Sequence, residues 1–170
     1  EKINAIDHPD LIWHFIGPIQ SNKTRQIASH FDWVHTIDRI KIARRLNELR
    51  PESLAPLNIC VQINISGEDS KAGIKLDDAD NFITELEQFK RLKIRGLMSL
   101  PAPTSNFNEQ RIPFSILKQK LQELSISRPD LDTLSIGTTQ DMTAAIAEGA
   151  TIVRIGTALF GPRDVTKQSN

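Results

Sequence analysis

Leu57-Asn-Ile-Cys-Val-Gln-Ile-Asn-Ile65 is the most strand-like stretch of the 170-residue chain. Alternation sends Leu57, Ile59, Val61, Ile63 and Ile65 to one side and Asn58, Cys60, Gln62 and Asn64 to the other. A parallel strand covered on both faces reads as an almost continuous apolar run. Here one face turns polar towards the carboxyl end, the end at which both open α/β sheets and barrels bind ligands. A polar barrel mouth accounts for this pattern. So does plain satisfaction of neighbouring loop backbone by Gln62 and Asn64.

Five more strand-like segments flank it, at 12–16, 33–37, 93–100, 133–136 and 151–155. Between them, apolar spacing predicts helices over 21–30, 39–49, 77–89, 108–124 and 141–148, the second stopped by Pro51 and the last by Gly149. Strict alternation of strand and helix implies a parallel sheet joined by crossovers. An open doubly wound sheet and a (β/α) barrel both satisfy it, although six units fall two short of the barrel's eight. No Gly-x-Gly-x-x-Gly or Walker-type loop follows any strand, which argues against a dinucleotide or nucleoside-triphosphate site.

Composition narrows the class. The 21 basic and 21 acidic side chains cancel, so there is no electrostatic footprint for nucleic acid or a membrane surface. The most basic stretch, from Arg39 to Arg50, is interrupted by apolar residues at helical spacing and reads as a solvated helix face. No apolar run approaches the roughly 20 residues that span a bilayer. Cys60 is the single cysteine and reads as a reduced core residue, pointing to a cytoplasmic protein.

Three features carry candidate chemistry. His14 shares a strand face with Ile12 and Ile16, as a core histidine or as a ligand contact. Arg154 lies between Val153 and Ile155 in a central strand, where a buried guanidinium needs acceptors: a carboxylate such as Asp132 or Asp141, or a ligand atom. The turns Gly137-Thr-Thr-Gln-Asp141 and Gly156-Thr-Ala-Leu-Phe-Gly161 each pair a glycine with hydroxyls and free amides. Helix capping by Thr139 or Asp141 explains either turn alone; as the last two βα loops together they fit the phosphate site that barrels reuse. His8, His30 and His35 receive no role.

At these residues the chain resembles a known family. Trp13-His-Phe-Ile-Gly-Pro-Ile-Gln-Ser-Asn-Lys23, His35-Thr-Ile-Asp38, Gln62-Ile-Asn-Ile-Ser66, Ser70-Lys-Ala-Gly73, Arg95-Gly-Leu-Met-Ser-Leu-Pro101, Leu134-Ser-Ile-Gly137 and Val153-Arg-Ile-Gly-Thr-Ala-Leu-Phe-Gly161 are similar, in order, to the pyridoxal phosphate homeostasis proteins of the alanine-racemase-like barrel group. The resemblance implies one (β/α)8 TIM-type barrel domain that binds pyridoxal 5′-phosphate without enzymatic turnover and supports vitamin B6 balance. It implies that Arg154 faces the pyridine nitrogen. It gives phosphate donors to Ser135, Gly137, Thr138, Thr139, Gly156 and Thr157, and places His14, Asn64 and Met98 around the ring.

Two departures accompany it. The family reads Gly-Met-Ser-x-Asp where this chain has Gly137-Thr-Thr-Gln-Asp141, so Thr139 keeps a hydroxyl and Thr138 replaces a methionine. The family's first two strands, with the Schiff-base lysine and a Gly-Glu-Asn motif, have no counterpart from Glu1 onwards; Lys23 and Lys71 match other motifs. The six βα units are therefore expected to be barrel strands three to eight. Residues 1–170 are expected to be an incomplete chain, with the lysine upstream, exposed strand edges and reduced stability. Two other functions stay open: an amino-acid racemase of the same barrel group, which needs a tyrosine this chain lacks, and a barrel enzyme acting on a phosphorylated metabolite.

Overall fold

A computed structural model describes residues 3, 6, 8, 10–68 and 71–161; Glu1 and Ser70 lie outside them. The elements, in chain order, are β1 (His14–Phe15), a 3-10 turn (Ser21–Lys23), α1 (Thr24–His30), β2 (Trp33–Ile37), α2 (Ile40–Leu49), β3 (Leu57–Gln62), a 3-10 turn (Leu76–Asp78), α3 (Ala79–Leu86), β4 (Leu92–Met98), α4 (Phe107–Ser125), β5 (Thr133–Ser135), α5 (Met142–Ala147) and α6 (Thr157–Phe160).

Strand order decides between the two architectures. The five strands form one sheet in the order β1-β2-β3-β4-β5, each pair parallel. A doubly wound sheet reverses direction at a switch point, and none occurs among these strands. Because crossovers between parallel neighbours are right-handed, an unreversed order places every helix on the same face. The other face then becomes the concave interior of a half-barrel.

The helix-facing layer is the core. Val34, Ile37, Ile59, Val61, Leu97 and Leu134 from the strands and Ile136 just after β5 are buried in one cluster with Ile42, Ala43 and Leu46 of α2, Ile83 and Leu86 of α3, and Phe114, Leu117, Leu121 and Leu124 of α4. The α4 residues recur at three- and four-residue steps, the stripe of an amphipathic helix. Asn106 starts that helix by accepting from the amides of Asn108 and Glu109. Fully burying each large side chain contributes about 1.5–3 kcal/mol.

A bulge at Arg95 shifts the register, so that Ile59 faces Ile94 but Cys60 faces Gly96. Gly96 lets β4 and β5 touch: a Cβ there would lie 1.8 Å from the Thr133 carbonyl oxygen. The displaced Arg95 turns into the barrel base, where it donates to both Asp132 carboxylate oxygens (3.0 and 2.6 Å) and to Asn58 Oδ1, and covers the Trp33 ring at 4.9 Å.

The expectation of six strands requires correction. Residues 151–155 form no strand: Ile152 makes a single parallel bridge to Ser135. Their backbone does follow β5, through Ile136 N–H to the Ile152 oxygen (3.1 Å) and Arg154 N–H to the Gly137 oxygen (2.9 Å). Pairing with β5 goes no further than that bridge and these bonds, so no ladder forms. The strand expected at 12–16 is likewise shorter, His14–Phe15. The 57–65 strand ends at Gln62, because beyond it Ile63 bridges Ile74 of the following loop.

Candidate functional site

The concave face carries polar side chains where the carboxyl ends of the strands converge. It opens into a cavity of about 990 Å³, at the upper end of the range for small-molecule pockets. His14 from β1, Thr138 and Thr139 after β5, and Arg154, Gly156 and Thr157 from the final segment line it.

Arg154 answers the question its position raised. It pairs with neither Asp132 nor Asp141. One Nη1 donates to the Ser135 carbonyl and hydroxyl oxygens (both 2.7 Å), and Nη2 donates to the Ser99 carbonyl (2.9 Å). Burial lowers its pKa from the ordinary arginine value, and the Asp141 charge opposes that shift. A guanidinium has five N–H groups. Two of Arg154 therefore stay uncommitted among the described residues, on a side chain that lines the cavity.

Ser135 is completely buried and works from behind Arg154. Gly137 accepts the Arg154 amide. Thr138 directs both its amide and its hydroxyl to Asp141 Oδ1 (2.6 and 2.8 Å), so at that residue the turn caps itself. The Thr139 hydroxyl accepts from the Ala158 amide (3.3 Å) and ties the two loops together. The amides of Gly156 and Thr157 donate to no acceptor among the described residues.

Two expected contacts stand elsewhere. Asn64 does not line the cavity. Its side-chain amide donates to the Glu68 and Lys71 carbonyls (2.8 and 3.2 Å) and its oxygen accepts from Gly67 N–H (3.1 Å), fastening the loop after β3. Gln62 donates likewise to the Ala72 carbonyl. Gly73 permits that closure, since a Cβ on it would sit 2.6 Å from the Asn64 nitrogen. Met98 is fully buried in β4, beneath the lining residues rather than among them.

One residue was passed over. His35 on β2 is fully buried yet reaches the cavity wall, with Nε2 2.8 Å from His14 Nδ1 and Nδ1 2.8 Å from the Ser135 hydroxyl. Burial first, then the His14 and Arg154 charges, hold its pKa down at about 3. His14 is also lowered, by burial against the pull of Asp32, and its ring stacks on Trp33 at 5.3 Å. The signal in the sequence was register: His35 is two residues from Trp33 and so shares the inward face.

The family model of the alanine racemase N-terminal domain matches residues 4–164. The chain belongs to the alanine racemase N-terminal domain family. Within that family it is 54% identical over 154 residues to the pyridoxal phosphate homeostasis protein of Pseudomonas aeruginosa, covering 91% of this chain and 66% of that one. To the protein of the same name from Escherichia coli K12 it is 52% identical over 161 residues, covering 93% and 68%. The chain thus spans about two thirds of the length of these relatives. PipY of Synechococcus elongatus PCC7942, solved with pyridoxal phosphate bound, superposes with a TM-score of 0.79 at 35% identity, over 91% of this chain and 73% of that one. The family resemblance carried by the seven motifs is borne out.

Proposed function

We propose that this chain binds pyridoxal 5′-phosphate and holds it without turnover, as a cytoplasmic component of vitamin B6 homeostasis. The observation that carries the reading is Arg154. It is a half-buried cation on the wall of a ligand-sized cavity, fixed by Ser135 and Ser99 and paired with no carboxylate among the described residues, with N–H groups left over. Its uncommitted donors suit the lone pair of a pyridine nitrogen. The unpartnered amides of Gly156 and Thr157 suit a phosphate at the other side of the mouth.

Bound pyridoxal phosphate supplies an aldehyde and a ring that acts as an electron sink. A guanidinium does not surrender its proton near neutrality, so Arg154 keeps a pyridine nitrogen in its acceptor form and weakens that sink. This supports retention over turnover. The pyridoxal phosphate named for PipY and for the Pseudomonas and Escherichia relatives supports the same ligand.

The open flank of the cavity exposes Ile12, Ile16, Leu159 and Phe160, the last with 86% of its surface free. We place there the two further βα units of an eight-stranded barrel, which makes the described strands and the 151–155 segment the third to eighth positions. The fully buried Cys60, whose thiol pKa burial pushes up to about 12, fits a reducing compartment.

Stepwise addition of pyridoxal phosphate, followed by absorbance and by tryptophan emission, tests the reading. Saturable one-to-one uptake is expected. A spectrum equal to the sum of the separate components at every ratio sinks it.

A further inference from the structure

The contacts from Arg154 to His14 form one unbroken chain, and the donor count gives it a direction. Arginine only donates, so Nη1 of Arg154 gives a hydrogen to Ser135 Oγ at 2.7 Å. The single hydroxyl hydrogen of Ser135 then has one acceptor within reach among the described residues, His35 Nδ1 at 2.8 Å. An accepting Nδ1 on a neutral ring leaves its hydrogen on Nε2, which faces His14 Nδ1 at 2.8 Å. His14 Nδ1 must accept in turn. Its own hydrogen therefore sits on Nε2, the one ring nitrogen of His14 that bonds to nothing among the described residues, on a ring that lines the cavity.

We propose that Ser135 and His35 are positioning residues that carry the donor polarity of Arg154 across the barrel interior to His14, fixing His14 Nε2–H as a hydrogen-bond donor to the bound ligand. The inner wall then offers donors at two separated points, Arg154 and His14. It selects a ligand with two acceptors, such as an unprotonated pyridine nitrogen and an anionic or carbonyl oxygen, and it disfavours a ligand that presents N–H or O–H there. The choice of ligand rests on the pyridoxal phosphate reading; the direction of the chain does not.

Geometry and donor count supply the order of donors for two neutral rings. Neutrality of the two rings is supported separately, since burial lowers both histidines from the ordinary imidazole value. The charged groups acting on them are Asp32, which raises His14, and His14 and Arg154, which lower His35.

The proton positions are directly measurable without ligand. In the protein with His8 and His30 replaced by glutamine and histidine labelled with nitrogen-15, two-bond proton–nitrogen spectra at pH 8 should show both remaining rings as the Nε2–H tautomer. Either ring as Nδ1–H, or as a cation, overturns the relay. Ser135→Ala removes the hydroxyl that sets the direction, and His14 should become a mixture of tautomers; an unchanged Nε2–H form overturns the coupling. If that variant does not fold, the unsubstituted rings still decide. His35→Phe should then weaken pyridoxal phosphate binding about tenfold, the worth of one hydrogen bond, and equal affinity overturns the ligand half of the proposal. Failure of the unsubstituted protein to take up pyridoxal phosphate counts against the functional reading, while the tautomers report on the relay regardless.

Discussion

The imidazoles of His14 and His35 meet nitrogen to nitrogen at 2.8 Å, across two neighbouring parallel strands. Such a pair holds together with a single hydrogen between the two nitrogens, so protonating both rings breaks it. His35 has its pKa pushed down to about 3 in the fold, below the ordinary value of 6.5. Its unfolded form binds the extra proton first.

Stability should therefore be fully present above pH 6.5 and decline as pH falls towards 3, by up to about 1.4 kcal/mol per pH unit for this one proton. Thermal unfolding from pH 8 to 4 measures it. His35→Phe should flatten the decline, and an identical acid profile in that variant contradicts the assignment.

Arg154→Gln should weaken pyridoxal phosphate binding by about tenfold to a hundredfold, the range for a hydrogen bond to a charged group. The loss should be shared by unphosphorylated pyridoxal, because the contact is to the ring. Calorimetric titration of both ligands checks it. A loss confined to the phosphorylated form moves Arg154 to the phosphate.

Thr157→Val combined with Thr139→Val makes the opposite prediction. It removes a hydroxyl from the turn at Gly156 and the acceptor that ties Ala158 to the preceding loop. Affinity for pyridoxal phosphate should fall well below that of wild type while pyridoxal changes little. Equal losses for both ligands show that the turn does not hold the phosphate.

Gly96→Ala drives a methyl group into the Thr133 carbonyl across the β4–β5 pair. The cost should reach the top of the about 1–3 kcal/mol range for overpacking, or exceed it. Denaturant melts read the difference. A midpoint within error of wild type shows that the strands can separate there without penalty.

Asn64→Ala deletes three side-chain hydrogen bonds that hold the loop after β3. About 1–3 kcal/mol of local stability should be lost. Hydrogen exchange should quicken at Gly67, whose amide donates to Asn64. Unchanged exchange there contradicts the latch.

The alternation at 57–65 was legible because burial is a local property of strand faces, and it placed Cys60 and Gln62 inward. Its meaning was not. Asn64 and Gln62 read as a polar mouth or as loop fasteners, and only the path of residues 66–74 distinguishes the two. Strand order likewise depends on pairing, which alternation does not encode. Arg154 was found because a charge inside an apolar run is costly wherever it lies, yet its acceptors proved to be Ser135 and the Ser99 backbone, which no spacing rule connects to it. His35 escaped notice because a histidine beside valine carries no such cost signal. Its role comes from residues 21 and 100 positions away.

The stack of His14 on Trp33 has an optical consequence. Trp33 and Trp13 are the two indoles in the chain, and among the described residues Trp33 lies ring to ring with the cavity-lining His14. Its emission overlaps the absorption of a pyridoxal chromophore, so a ligand seated against His14 drains the Trp33 excited state by energy transfer. Trp13 directly precedes His14 and its carbonyl accepts from the Trp33 amide, so both indoles should report occupancy, and the emission of Trp33→Phe separates their shares.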